Sequence, residues 1–269
     1  MLTSPWPIAA ATFRQHRRSM ISWMAGLGAF GVVMLALYPS VKGNHDFAKL
    51  LASYPEALQK LFALSDYTTP TGYLRAEVFS FLAPLLVSLF AVFLGADLIA
   101  GEEGRGTLEI LAASPVARRR IFAEQFAALI VMVSGVALVL GFVLFLGGRV
   151  VHLQVATVHL FSATVAVAVL ACVVGTLALV TGAATGKRGL ALSVGAVVLV
   201  GSYLLSQLAS LVPFLVHFRG LSPWWHALGV DPLTKGLLPW HLLGLLAALA
   251  LLSAVGAMLF DRRDLGIES

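Results

Sequence analysis

Long stretches of apolar residues, almost free of charged side chains, alternate along the chain with short segments that carry several charges. An α-helix needs about 20 such residues to cross about 30 Å of hydrocarbon. Six stretches are long enough, and they predict transmembrane helices at residues 21–38, 78–100, 124–147, 157–182, 190–213 and 240–260.

The stretch from Val150 to Gly186 contains no Asp, Glu, Lys or Arg. It is long for one transmembrane helix and short for two helices with a turn between them. His152, Gln154 and His159 make its first third polar. We therefore predict one helix at 157–182, preceded by a loop. Two spans here would move every later loop to the other side of the membrane.

Basic residues set the predicted orientation. With six spans and the N-terminus in the cytoplasm, the cytoplasmic segments are 1–20, 101–123, 183–189 and 261–269. They hold 11 of the 18 basic residues: Arg14, Arg17, Arg18, Arg105, Arg118, Arg119, Arg120, Lys187, Arg188, Arg262 and Arg263. Because cytoplasmic loops are enriched in Lys and Arg, both termini are predicted to be cytoplasmic, in a multi-pass protein of the cell membrane.

Composition supports the membrane class. Hydrophobic residues make up 59% of the 269 residues and charged residues 12%, whereas soluble domains carry about 25% charged residues. The net charge of +5 is explained by basic loops, so no nucleic-acid partner is expected. The sequence thus predicts an all-α integral membrane protein forming one transmembrane domain, 1–269, with membrane lipid around it.

Two segments outside the spans show helical patterns. Residues 46–64 place apolar side chains at helical spacing, with Pro55 in the middle, and predict an amphipathic external helix or helix pair between the first two spans. Residues 1–20 combine Trp6 and Phe13 with a basic end, and predict a cytoplasmic interfacial helix. In the proline-rich segment 221–240, Trp224, Trp225 and Trp240 are expected at the membrane interface.

Small and ionisable residues near the spans predict specific contacts. Gly26, Gly28 and Gly31 in the first span, and Gly175 and Gly182 in the fourth, would let helices pack closely.

Asp97 and Glu124 are the acidic residues at span ends on the cytoplasmic side. Each is expected to reach the interface and to pair with an arginine such as Arg118 or Arg120.

The most informative segment is 95–125, GADLIAGEEGRGTLEILAASPVARRRIFAEQ. Gly104 and Gly106 permit a tight bend after the second span. Thr107 can cap a short helix, Glu109 suits its first turn, and Pro115 ends it. This pattern predicts a short cytoplasmic helix at 101–120, between the second and third spans.

These residues resemble the signature of ABC-2 type transporter permeases, E-E-x-x-G-T-L-E-x-L-x-x-x-P-V-x-R just after the second span. The matching positions are Glu102, Glu103, Gly106, Thr107, Leu108, Glu109, Leu111, Pro115, Val116 and Arg118. The preceding stretch 69–103, the ending FDRRDLG at 260–266 and the six-span layout are also similar to that family.

The resemblance implies that residues 101–120 form a coupling helix, which docks on a separate ATP-binding subunit and transmits its closure to the membrane helices. It implies polar contacts by Glu102, Glu103, Arg105 and Glu109, and a packing edge of Gly106, Thr107, Leu108 and Leu111. Lys187 and Arg188 would form a second, smaller contact. Two copies of the ATP-binding subunit, which hold ATP and Mg, and a second permease are the implied partners.

The chain itself is not expected to be an enzyme or to bind a cofactor or metal. It contains no G-x-x-x-x-G-K-[ST] phosphate loop, and GAATGKRG at 182–189 lacks the required spacing. No charge lies in the middle of a span, which argues against an ion-driven carrier and suits a hydrophobic or amphipathic cargo such as a drug, antibiotic or lipid.

Two alternatives remain open at this point. One is a secondary carrier or channel. The other is an intramembrane lipid-modifying enzyme that uses His217, His226, Asp231 and His241.

Overall fold

The computed structural model describes residues 6–55, 58–59, 66–106 and 116–263. Six helices in this part of the chain are long and apolar enough to cross a membrane: α1 Pro7–Val41, α2 Pro70–Gly104, α3 Arg118–Val150, α4 Thr157–Thr185, α5 Arg188–Leu208 and α6 Pro239–Arg262. The described residues contain no strand. The prediction of an all-α membrane protein with six spans is confirmed.

Two helices differ from the predicted bounds for local reasons. The predicted interfacial helix and first span form one helix, α1, because no Gly or Pro interrupts residues 8–25. Its 35 residues extend about 52 Å, well beyond the thickness of the hydrocarbon. Helix α5 ends at Leu208 rather than at residue 213, since Val212 precedes Pro213 and has extended backbone angles.

The segments between the spans contain short elements. A helix at His45–Ala52 covers the first half of the predicted external segment and ends before Pro55. Of residues 56–65 only 58 and 59 are described. After α5 come two 3₁₀ turns, Pro213–His217 and Arg219–Leu221, a π turn, Trp225–Gly229, and a short helix, Pro232–Lys235.

The three tryptophans expected at the membrane interface lie in different environments. Trp240 is 84% exposed, but Trp224 is only 2% exposed, so the interface prediction is wrong for Trp224. Its ring packs edge-on against Tyr203 of α5, with 4.9 Å between the ring centroids. The loop between α5 and α6 therefore folds back onto the helices.

Helix α4 lies in the centre of the bundle and packs against α2, α3, α5 and α6. In its most apolar stretch 83% of the residues are buried within this chain, against 11% for α6. A helix that is apolar on all sides belongs inside a bundle, and α4 has that composition. Helix α1 packs mainly along α3.

Helices α2 and α4 approach each other to backbone contact at two glycines. A methyl group built on Gly95 would lie 2.1 Å from the carbonyl oxygen of Gly175, and one on Gly175 would lie 2.8 Å from the Ala91 methyl group. One on Gly182 would lie 3.2 Å from the Ala100 methyl group. The predicted role of Gly175 and Gly182 in close packing is thereby confirmed.

Helix α2 is interrupted within its first third. A π turn at Leu74–Phe79 is followed by a break at Phe81, whose φ of −144° and ψ of −61° are not helical. Pro84 explains this break, because it has no N–H to donate to the carbonyl of Ser80 and its ring crowds that carbonyl. A second π turn, Asp97–Gly101, lies near the other end of α2.

We predict that Gly95→Ala lowers the stability of the folded chain by about 2 kcal/mol, since the new methyl group would force α2 and α4 apart. Thermal unfolding of the detergent-purified protein measures this as a fall of several degrees in Tm. Gly201→Ala in α5 is the matched control, because no atom lies within 4 Å of the added methyl group. Equal Tm values for both variants would contradict the close α2–α4 contact.

Candidate functional site

Three carboxylates meet at the end of α2 that leads into the segment 101–120. We call Asp97, Glu102 and Glu103, together with their partners, the carboxylate cluster. Asp97 accepts hydrogen bonds from Arg188 Nε at 2.9 Å and from Arg105 Nη1 at 3.2 Å, and its Oδ2 lies 3.8 Å from His16 Nε2. It therefore connects α2 with the first turn of α5 and with α1.

Glu102 is only 8% exposed and is held on two sides. Its Oε1 accepts hydrogen bonds from Arg105 Nη2 at 2.9 Å and from Gln15 Nε2 of α1 at 2.5 Å. Burial alone would lower the pKa of Arg105, but the hydrogen bonds to Asp97 and Glu102 outweigh it and raise that pKa above its ordinary value. Arg105 is thus a fixed cation in this site.

Glu103 binds the far end of the chain. Its two oxygens accept hydrogen bonds from Arg263, at 2.9 Å from Nη1 and 2.5 Å from Nη2. Arg263 Nη1 also donates to the carbonyl of Ala183 at 3.3 Å, and its own carbonyl accepts a hydrogen bond from Arg118. A two-pronged guanidinium–carboxylate pair is both strong and directional, so the ends of α2, α4 and α6 are fixed together.

Gly186 makes room for this pair. It ends α4 with a φ of +68°, which glycine adopts without strain. A methyl group here would lie 2.1 Å from Arg263 Nη2 and 2.8 Å from each carboxylate oxygen of Glu103.

Glu124 forms a second buried connection at the same end of the bundle. It is 0% exposed, and its Oε2 accepts hydrogen bonds from the backbone N–H groups of Ile8 at 2.8 Å and Ala9 at 3.1 Å. Its Oε1 accepts one from Arg120 at 3.1 Å. A carboxylate thereby binds the unpaired N–H groups and the positive dipole end of α1.

The family model of the ABC-2 family transporter proteins matches residues 6–265, nearly the whole chain. The chain belongs to the ABC-2 transporter family. No individual curated protein matches it. This permease is a membrane subunit of an ABC transporter, and it associates with an ATP-binding subunit. Membrane subunits of this family are generally not catalytic.

The predicted contact residues of this ABC-2 permease fall into two groups. The structure brings Glu102, Glu103, Arg105 and Arg188 together in the carboxylate cluster. Gly106 has a φ of +72°, as expected for a bend, and Lys187 is exposed. The other predicted residues, which are Thr107, Leu108, Glu109 and Leu111, lie outside the described residues. Their contact with the ATP-binding subunit stays a prediction.

The segment predicted as the coupling helix, 101–120, includes the ends of two spans. Glu102–Gly104 is the last turn of α2, and Arg118–Arg120 is the first turn of α3. The expected pairing of Glu124 with Arg120 is confirmed, and Glu124 is buried beneath the first turn of α1. The arginines that bind Asp97 are Arg105 and Arg188, not Arg118 or Arg120.

Sequence reasoning missed the partners supplied by distant parts of the chain. Nothing in the sequence marks Gln15, His16 or Gly186 as residues of this site. The sequence places Arg263 among the cytoplasmic charges and in the ending 260–266, but nothing there indicates its pairing with Glu103, which lies 160 residues away in the sequence. In the residues that the structure describes, no group of three side chains could hold a metal ion. The hydrogen bonds of the carboxylate cluster connect α1, α2, α4, α5 and α6 with one another.

We predict that Glu124→Ala destabilises the permease by about 2 kcal/mol or more, because it leaves two buried N–H groups of α1 without an acceptor. Thermal unfolding measures the loss, and hydrogen exchange at Ile8 and Ala9 should become faster. Asp261→Ala is the control: it removes an exposed pair with Arg119, which is 70% exposed, and should cost at most about 1 kcal/mol. A smaller effect at Glu124 than at Asp261 would contradict this assignment.

Proposed function

We propose that this permease is the membrane half of an ATP-driven exporter for a hydrophobic or amphipathic cargo, such as a drug, antibiotic or lipid. Two ATP-binding subunits bind from the cytoplasm. The permease contacts them through the segment 101–120 and, over a smaller area, through the Lys187–Arg188 turn. ATP and Mg are bound by those subunits. Their closure moves the inner ends of the helices and opens the path through the membrane.

The carboxylate cluster is the observation that carries the proposal. A docked subunit pushes on the segment between α2 and α3, which by itself would move only these two helices. Glu102 extends the connection to α1 through Gln15, and Glu103 extends it to α6 and to the end of α4 through Arg263. Displacement of one short segment is therefore shared by most of the bundle.

Exposure indicates different roles for the cluster residues. Glu102 is 8% exposed and acts between helices. The side chains of Arg105 and Glu103 are 44% and 28% exposed, and Lys187 is exposed as well. We assign these three, with Glu109 of the segment 101–120, to contact with the ATP-binding subunit.

The spatial grouping of charges supports a cytoplasmic position for this end. The contacts of Arg118 with Arg263, and of Arg188 with Asp97, place the predicted cytoplasmic segments at one end of the bundle. Gln15 brings the N-terminal part of α1 to the same end. Most basic residues of the chain are thus collected there, as the enrichment of Lys and Arg in cytoplasmic loops requires. Both termini would then be cytoplasmic.

A second permease completes the pathway in this proposal. Only 22% of the residues in the most apolar stretch of α1, and 11% in that of α6, are buried within this chain. Such faces suit either lipid or another set of helices. With six spans in one chain, a homodimer or a pair with a related permease provides the enclosed path.

A cavity beside the cluster has polar and aromatic walls. It measures about 130 Å³, too small for a whole drug-sized cargo, and lies between α1, α2 and α5. His16, Asp97 and Arg188 line one part, and Trp23 and Phe90 line another. Polar and aromatic groups thus meet at the end where cargo would enter.

We predict that ATP changes the distance between spin labels at Val150 and Leu221, which are 77% and 76% exposed. Tagged permease, purified with its ATP-binding subunit and reconstituted in liposomes, is measured by electron resonance with and without ATP. The Glu102→Gln, Glu103→Gln double variant should assemble but reduce the ATP-dependent change, and ATP-driven efflux of an amphipathic dye, by at least about tenfold.

The double variant Arg119→Gln, Asp261→Asn is the matched control, because it removes an exposed ion pair at the same end of the bundle. It should keep normal coupling. The proposal fails if no ATP-binding subunit co-purifies, or if the dye flux persists without ATP, which would favour a carrier or channel. Of the residues named for the enzyme alternative, His226 and His241 lie together, with 2.9 Å between their Nδ1 atoms, but Asp231 pairs with Arg75 rather than with these histidines.

A further inference from the structure

A cavity of about 110 Å³ lies at the end of the bundle remote from the carboxylate cluster. It is formed by the start of α2, the end of α5 and the loop that leads to α6. Arg75 and Asp231 line it together with Ser80, Ser206 and the buried Trp224. We propose that this cavity binds the headgroup of a zwitterionic phospholipid, one that carries a phosphate and an ammonium group.

The charges in the cavity select for a zwitterion. Arg75 Nη1 donates to Asp231 Oδ2 at 3.0 Å, and the two side chains are only 27% and 24% exposed. A simple anion would meet the carboxylate of Asp231, and a simple cation would meet the guanidinium of Arg75. A headgroup with both charges satisfies both, because its phosphate accepts from the guanidinium and its ammonium donates to the carboxylate.

Asp231 does not cap the short helix that follows it. Asp231 precedes the short helix Pro232–Lys235, where an aspartate ordinarily accepts a hydrogen bond from a backbone N–H. Its side chain makes no such bond, and its φ of +56° is left-handed. Aspartate is one of the few residues other than glycine that adopts this conformation readily. Here it accompanies a carboxylate turned toward Arg75.

The break in α2 lies beside the same cavity. Ser80 lines it and is part of the interruption that Pro84 causes. Discontinuous membrane helices and π turns recur at ligand sites, because the unpaired backbone groups there can bind polar atoms. The interruption therefore agrees with a polar ligand at this position.

Size and surroundings indicate a headgroup with its acyl chains outside. Drug-sized ligands need about 300 Å³ or more, so a cavity of about 110 Å³ admits only the charged end of a larger molecule. Phe81, which follows Ser80 in the sequence, is 38% exposed and offers an apolar surface for acyl chains.

The test is lipid binding by the full-length permease in detergent, without ATP or the ATP-binding subunit, so its result does not depend on the proposed function. Native mass spectrometry counts bound short-chain phosphatidylethanolamine and phosphatidylglycerol with identical acyl chains. The wild-type protein should prefer phosphatidylethanolamine. Arg75→Gln and Asp231→Asn should each weaken its binding about tenfold or more.

The two variants should differ in their new preference. Asp231→Asn leaves the arginine without its carboxylate, so binding of the anionic phosphatidylglycerol should rise. Asparagine tolerates the left-handed backbone as aspartate does, which keeps the loop conformation. Arg75→Lys retains the positive charge and should keep most of the binding.

Arg149→Gln and Asp46→Asn are the controls, since they remove one charge of each sign outside the cavity. They should bind phosphatidylethanolamine as the wild-type protein does. The proposal is overturned if wild-type protein shows no preference between the two lipids. It is also overturned if neither cavity variant changes that preference, or if the controls lose binding equally.

Discussion

The close approach of α2 to α4 is the constraint on which the rest of this structure depends. In a lipid environment apolar surface gives little drive for helix association, so packing and backbone proximity decide which helices pair. Gly95 and Gly175 let the two helices meet at backbone distance, and α4 then becomes the centre around which α3, α5 and α6 pack. Because α2 is held there, its two ends have fixed positions, one beside the α5–α6 loop and one in the carboxylate cluster.

The carboxylates buried at the α2 end that carries the carboxylate cluster are stable there only because each has a partner. An unpaired buried carboxylate would be expensive, yet Glu124 at 0% exposure and Glu102 at 8% persist, bound by backbone N–H groups, an amide and guanidinium groups. The partners come from separate helices. Assembly of the helix ends and satisfaction of the charges are therefore the same event, which suits the proposed role of this site in moving as one body when an ATP-binding subunit docks.

The sequence could predict the features that depend on local patterning. Apolar length gave six spans, and small residues in the fourth span indicated close packing. It could not predict that Arg263 would bind Glu103, because nothing in a run of basic residues distinguishes a topology signal from an ion pair between helices. It also could not predict the burial of Trp224 against Tyr203, or of Glu124 beneath α1, since each depends on contact with a distant part of the chain.

Both polar regions of the molecule lie on α2, and the form of that helix matters for any coupling between them. Between Leu82 and Ala96 it is regular and packed on α4, so it can only shift as a rigid segment. At Phe81 the helix is broken, and the turns that precede the break, which carry Arg75, are not continuous with the rest of α2. A displacement that starts at the carboxylate cluster would thus reach the break and change the angle between the two parts of α2 there. Since Phe81 packs on Tyr203 with 4.9 Å between ring centroids, and Tyr203 in turn contacts Trp224, that change of angle would bear directly on the wall of the Arg75–Asp231 cavity.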